Sequence, residues 1–318
     1  MKLPRSFSLL ILLGSVTSCQ SNRDRCDEVV CETVHRYGVP LEPEDWSARG
    51  QYGQVVSMRK DGVNVMRNYE AGILHGECTY TFPYRDVIER KEIYHQGNLK
   101  QESIHYPSGF PQRQVIYESP ERQSVVIWYE SGAPHYREEI ENGHLVRGEY
   151  YDPNQQVESR VEEGNGLRIC RDGHGQLQSV DTIQDGQMIF STTYHPNGMP
   201  ATITPYANGV IEGERRTYLP GGEPLTIEEW HGNTQHGMMQ VFEHSEKQAE
   251  VPYVNGYKHG IERRYRNDGQ AIAQEITWVK GLKHGPCYHY VGNTTKTDWY
   301  FRNRPVPNKS TFDMLMNQ

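Results

Sequence analysis

The sequence predicts a mainly β protein: an elongated, single-layer, twisted antiparallel sheet built from stacked β-hairpin repeats. Two ladders and one absence predict it. Glycines recur at Gly72, Gly97, Gly143, Gly186, Gly209, Gly232, Gly256 and Gly281, with gaps of 25, 46, 43, 23, 23, 24 and 25. Mostly aromatic residues recur at Tyr94, Tyr117, Ile140, Glu163, Ile183, Tyr206, Trp230, Tyr253, Trp278 and Tyr300, with gaps of 20 to 25. Between residues 54 and 300 no helical periodicity holds over ten or more residues. A fixed step of this size marks an array whose units bury a face only against their neighbours. Such an array offers a long face and no obvious deep pocket.

Taken in chain order, the first segment differs from everything after it. Lys2 and Arg5 are followed by an apolar run through Phe7 and Leu13, then small residues and Cys19. Residues 1–18 read as a secretory signal peptide, too short for a membrane-spanning helix. Residues 19–53 read as a tether and N-terminal cap, with a short helix expected over residues 26–37 and a Pro- and Gly-containing loop over 38–53. Residues 54–69 read as two strands around Lys60-Asp61-Gly62, since Asp-Gly between β-branched runs signals a hairpin.

Residues 54–301 form the repeat array. A clear unit opens on a glycine, often preceded by Asn, as at Asn142-Gly143, Asn208-Gly209 and Asn255-Gly256. A second glycine follows, then a strand, a turn such as Tyr106-Pro107-Ser108-Gly109 or Tyr194-His195-Pro196-Asn197-Gly198, and a closing strand. Gly and Asn supply the positive φ that these turns need. With adjacent strands about 4.7–4.9 Å apart, equivalent residues should recur roughly every 9.5 Å. Residues 302–318 read as a C-terminal cap, with a brief helix expected from Ser310-Thr311-Phe312-Asp313.

Composition fits a surface-rich, secreted chain. Hydrophobic residues are 35% and mean hydropathy is −0.80, too polar for one large globular core at this length. Tyr outnumbers Phe by 21 to 7, and an apolar ring with a wet hydroxyl suits a half-exposed sheet. Net charge is −8, and removal of Lys2 and Arg5 with the leader makes it more acidic still. An acidic chain without a basic stripe excludes nucleic acid as the main ligand. Cys26 and Cys31 are the pair that an oxidising envelope could join; the alternative is that both stay reduced. Cys78, Cys170 and Cys287 read as small strand residues.

Catalytic and metal sites are not expected. His75, His236, His259 and His284 recur at one position of the repeat, but at roughly 9.5 Å apart they are too distant to share a zinc ion. Each is expected to close its own turn. Glu138-Glu139, Glu162-Glu163 and Glu228-Glu229 are adjacent pairs that a strand sends to opposite faces, so they are read as solvating charges. No nucleophile elbow, phosphate loop or dinucleotide fingerprint is present, and no cofactor is expected. The candidate binding face is the row Tyr206, Trp230, Tyr253, Trp278 and Tyr300, which is also read as cross-strand packing.

Two resemblances add to this. Val16-Thr17-Ser18-Cys19 resembles the lipobox of bacterial lipoproteins, which implies acylation of Cys19, and Gln20 in place of Asp implies the outer membrane. Two or three acyl chains anchor stably where one does not. The segments Gly256-Tyr257-Lys258-His259-Gly260 and Gly281-Leu282-Lys283-His284-Gly285, with His75-Gly76 and His236-Gly237, resemble MORN-variant repeats of the YwqK-like antitoxin type. With its lipobox the whole chain is similar to repeat lipoproteins of chlamydial bacteria. The resemblance implies a membrane-anchored envelope lipoprotein that binds an envelope or host protein through its repeats, with no catalysis. The rivals are an antitoxin- or immunity-like neutralising protein and, less in keeping with the periodicity, an envelope glycan-active enzyme.

The lipobox generates one test. Cys19→Ser is expected to move the protein from the membrane to the soluble fraction and to abolish labelling by a radioactive fatty acid. A variant that stays in membranes and still takes up label overturns the anchor.

Overall fold

The computed structural model describes residues 28–266 and 269–317. Cys19 and Cys26 lie outside the described residues. The fold is mainly β, with 28 antiparallel strands and two short helices among the described residues. Strands mostly pair with their neighbours in sequence, as hairpins joined by two to six residues. The chain divides at Leu99 into two units.

The first unit contains a correction. The expected helix over residues 26–37 is the strand Glu28–His35, which pairs antiparallel with Gly53–Arg59. Val29, Val30, Thr33 and Val34 are β-branched and favour the pleated surface over the helix. Glu28 also reaches Arg67 at 2.8 Å, both side chains being largely buried. The expected loop holds a short helix, α1 (Pro43–Ala48), with Pro43 in its first turn, where a missing N–H costs nothing. Its Trp46 is buried edge-on against Tyr69, with ring centres 6.4 Å apart. The expected hairpin is present as Gly53–Arg59 and Asn64–Glu70.

The second unit carries most of the repeats. Its turns keep the expected chemistry: Asn142 and Gly143 both take positive φ, at 51° and 79°, which is the pairing of a type I′ hairpin. Its apolar core sits between neighbouring strands, where Leu145, Tyr150, Val161 and Ile183 pack with Tyr136, Ile140, Ile169 and Met188. The last element is α2 (Lys309–Met316), capped by Asn308, whose side chain accepts from the Thr311 N–H. Phe312 of this helix packs against His284, Trp299 and Phe301.

The buried face of this unit is not purely apolar, which corrects the reading of the glutamate pairs. In two of the three pairs the members point oppositely and one is covered, Glu138 and Glu228 being buried at 4% and 8% exposure, while Glu162 and Glu163 are both exposed at a turn. Glu138 accepts from the Tyr150 hydroxyl at 2.8 Å and from Arg168 Nε at 2.7 Å. Arg168 also lies 3.9 Å from the carboxylate of Asp181, itself buried and held by Ser191 at 2.6 Å. Burial pushes the Tyr136 hydroxyl up to about 12, with Glu138 adding to it, and raises that of Tyr150 for the same two reasons. Burial raises the Asp181 carboxyl above the usual range. Burial lowers the guanidinium of Arg168, but Glu138 outweighs it, so the cation is fixed.

One guanidinium therefore serves two buried carboxylates. Arg168→Met keeps the stem and removes the charge, leaving Glu138 and Asp181 without it. The expected loss is about 2–3 kcal/mol, below the limit for a fully buried pair because the outer edge of Arg168 is wet. Urea unfolding measures it; a change under about 0.5 kcal/mol, as at ordinary surface sites, contradicts the arrangement.

Candidate binding face

The repeated triplet x-His-Gly explains how the aromatic row is held. In the strand register Gly213 faces Trp230, Gly237 faces Tyr253, Gly260 faces Trp278 and Gly285 faces Tyr300. Four of the five aromatics thus have a glycine as register partner, and a Cβ at these glycines would press on the strand to the other side, on Pro205, Glu229, Pro252 and Thr277, while Tyr206 faces Ile211. Gly260 shows why the position is glycine. Its φ is 109°, and a Cβ there would sit 3.1 Å from Pro252 Cγ. The irregular backbone is fixed by the preceding residue, with the His259 N–H donating to the Pro252 carbonyl at 2.9 Å.

The histidine does a different job from the one expected. It braces the turn of the following unit, and His75 also contacts its own turn, through Glu70 at 3.3 Å. His259 Nδ1 accepts from the Lys280 N–H at 3.4 Å, and His284 Nδ1 from the Arg302 N–H at 3.3 Å. His236 does the same for Asn255 at 3.5 Å and His75 for Gln96 at 3.4 Å. The residue before the histidine supplies a second contact: the carbonyl of Lys258 accepts from the Gly281 N–H at 2.8 Å, and that of Gln235 from Gly256 at 2.9 Å. Both N–H groups of a left-handed turn are therefore captured by the unit before it. Burial lowers the pKa of His284, with Arg302 adding to it, which keeps Nδ1 free to accept.

Where the first position of the triplet is lysine, it becomes part of the row. The Lys258 ammonium lies 4.8 Å from the centre of the Trp278 ring, and Lys283 lies 5.9 Å from Trp278 and 5.2 Å from Tyr300. Arg215 lies 5.8 Å from the Trp230 ring. These are cation–π distances. Lys258 also reaches Glu262 at 2.8 Å, which Arg264 reaches at 2.7 Å. Burial would raise the Glu262 carboxyl, but Lys258 and Arg264 outweigh it and hold it below the usual range.

The five residues of the row, Tyr206, Trp230, Tyr253, Trp278 and Tyr300, are all half-buried. Each ring packs with one side on the sheet and keeps another open. The two tryptophans differ in one respect that their shared spacing hides. Trp230 Nε1 donates to Glu228 at 2.9 Å, whereas Trp278 Nε1 is buried with no partner. The residue two places before Trp278 is Ile276, so no carboxylate is available there. Cys31, the described member of the candidate disulfide, lies on the first strand in the other unit.

No protein-family model matches the chain, and no curated protein matches it. Solved structures with similar stretches include the following three. A complex of TcdB2, TccC3 and Cdc42 matches at 15% identity over 85% of this chain and 16% of that one, with a TM-score of 0.20. The Tc holotoxin pore of Photorhabdus luminescens matches at 9% identity over 85% and 20%, with a TM-score of 0.21. BamB from Moraxella catarrhalis matches at 12% identity over 79% and 82%, with a TM-score of 0.14. The chain thus spans 16% and 20% of the two toxin chains. At these TM-scores none of the three bears on what this chain does.

The tryptophan difference is testable. Trp230→Phe deprives Glu228 of a donor and is expected to cost about 1.5–3 kcal/mol, the usual worth of a hydrogen bond to a charged group. Trp278→Phe removes an unpartnered N–H and is expected to cost less than about 1 kcal/mol. Equal losses for the two variants in denaturant unfolding contradict this assignment.

Proposed function

We propose that the protein is a membrane-anchored envelope lipoprotein whose repeats act as a protein-binding scaffold, with the row from Tyr206 to Tyr300 as its contact face. The observation that carries this reading is the row itself. Trp230, Trp278 and Tyr300 are half-open rings, flanked by Arg215, Lys258 and Lys283 at cation–π distance. Trp, Tyr and Arg are the residues that dominate protein–protein hot spots, because a rigid ring with a polar neighbour buries much area at little entropic cost. Trp278 and Tyr300 stand at fixed register positions opposite Gly260 and Gly285, so their spacing is set by the strands before a partner arrives.

Lipid anchoring at Cys19 and an outer-membrane location belong to the same proposal and rest on the lipobox-like segment. The anchor would hold the repeats at a membrane surface and confine the search for an envelope or host protein to that surface.

The test is crosslinking in intact envelopes followed by identification of what is captured. Wild type is expected to capture a protein that Lys283→Glu fails to capture, with at least a tenfold drop, roughly the effect of removing one hot-spot residue. Lys283→Glu leaves the rings and glycines in place, so its folding is checked by circular dichroism. Absence of a captured protein, or capture that the charge reversal leaves unchanged, overturns the proposal.

A further inference from the structure

A second feature of the later unit lies outside the aromatic row. A cleft of about 390 Å³ opens among the first hairpins of that unit, within the range of ligand-binding clefts. Ile104, Arg113 and Ile127 are register partners on three successive strands and form its floor. Trp128 and Tyr106 line it, tied together by the Tyr106 hydroxyl donating to the Trp128 carbonyl at 3.0 Å.

Two polar residues enter it from equivalent places. Each closing strand skips one residue near its start, where the register shifts. In two adjacent hairpins the skipped residues are Gln112 and His135, and both line the cleft. The skipped positions of later hairpins hold Glu158, Gln178, Ala201, Leu225, Gln248 and Ala273, and none of these lines the cleft. An irregular residue of this kind can aim its side chain where a paired one cannot. His135 is 8% exposed, its ring stacks on Tyr129 with centres 4.3 Å apart, and its Nε2 is buried with no partner. A buried polar atom left unpaired costs free energy that a ligand can recover. Burial lowers the His135 pKa, with Arg171 adding to it, so the imidazole is neutral at pH 7 and can donate or accept.

The partners already taken narrow the ligand. Arg113 is paired with Glu102 at 3.1 Å, and Arg171 with Glu158 at 3.0 Å. The cations at this end are thus neutralised, which disfavours a phosphate. The walls are apolar and the Tyr106 hydroxyl is engaged, so a sugar ring would leave most of its hydroxyls unpaired. What fits is an apolar, flat body with one polar tip.

We propose that this cleft receives a tyrosine side chain of a partner protein, its ring between Trp128 and the two isoleucines and its hydroxyl on His135 Nε2, which a turn of the imidazole uncovers. The inference rests on the protein-binding reading above and adds to it the residue type recognised. It also sets a second contact point apart from the aromatic row.

The experiment needs no partner. The full chain, carrying nitrogen-15 in its histidines, is titrated with N-acetyl-tyrosinamide, N-acetyl-phenylalaninamide and methyl glucoside while the Nε2 resonance of His135 is followed. The tyrosine probe is expected to shift that resonance saturably and to bind about fivefold or more tightly than the phenylalanine probe, the worth of one neutral hydrogen bond. His135→Leu is expected to bind both amides equally, and His135→Gln to keep part of the preference. Equal binding of the two amides to wild type, preference for the glucoside, or no shift of His135 overturns the inference. Those results leave the scaffold reading standing, because the aromatic row is untouched. A bound tyrosine probe with no protein captured in envelopes defeats the scaffold reading alone.

Discussion

The pairing of a glycine with an aromatic ring across two strands is the contact on which the repeats depend. A sheet with one layer has no second sheet to cover its large side chains. At Gly260, the register partner of Trp278, the strand exchanges a side chain for close approach to Pro252 of the neighbouring strand, where a Cβ would sit 3.1 Å from Cγ. That exchange demands the unusual φ of Gly260, which in turn separates the short pairing around Lys258 from the strand Gly260–Tyr265. The separation places Lys258 beside Trp278 and leaves His259 to reach the next turn. Three functions of a three-residue motif thus follow from one steric choice.

The same lack of a second layer explains the buried carboxylates. In the later unit Glu138, Asp181, Glu228 and Glu262 stand among side chains of their own sheet face. Each is satisfied laterally, by Tyr150 and Arg168, by Ser191, by Thr226 and Trp230, or by Lys258 and Arg264. Long, polar-tipped residues suit this because the tip finds a partner while the stem covers the neighbouring strand. The abundance of tyrosine has the same origin: Tyr150 and Tyr265 both end on a carboxylate.

Much of this was legible in the sequence, for a physical reason. From Tyr206 to Trp278 the aromatic of each unit stands two or three residues before the turn glycine, so both ladders repeat with the hairpin itself. The type I′ turns at Asn-Gly were legible because few residues tolerate two successive positive φ angles. The strand Glu28–His35 was not, since it precedes the ladders and an eight-residue run of mixed polarity does not separate helix from strand by period alone. Alternation showed that Glu138 and Glu139 face oppositely but not which side was covered. The cleft was hidden because its walls come from strands and turns up to some seventy residues apart, and His135 resembles any other strand histidine until the register shift is seen. One signal was present and unread: Ile276 stands two places before Trp278 where Glu228 stands two places before Trp230.

The histidine clasp gives the array an arrow. Each of His236, His259 and His284 reaches forward along the chain to the unit that follows, never back. A chain synthesised from its N-terminus therefore always carries a newest unit whose histidine has nothing to hold. Closure trails emergence by one repeat, and the final histidine is completed only when the Arg302 turn arrives, with Met316 and Phe312 of the last helix settling on the same ring. Truncation is accordingly asymmetric: losing a unit from the front deprives a turn of its clasp, while losing one from the back leaves a histidine open to protons and metals.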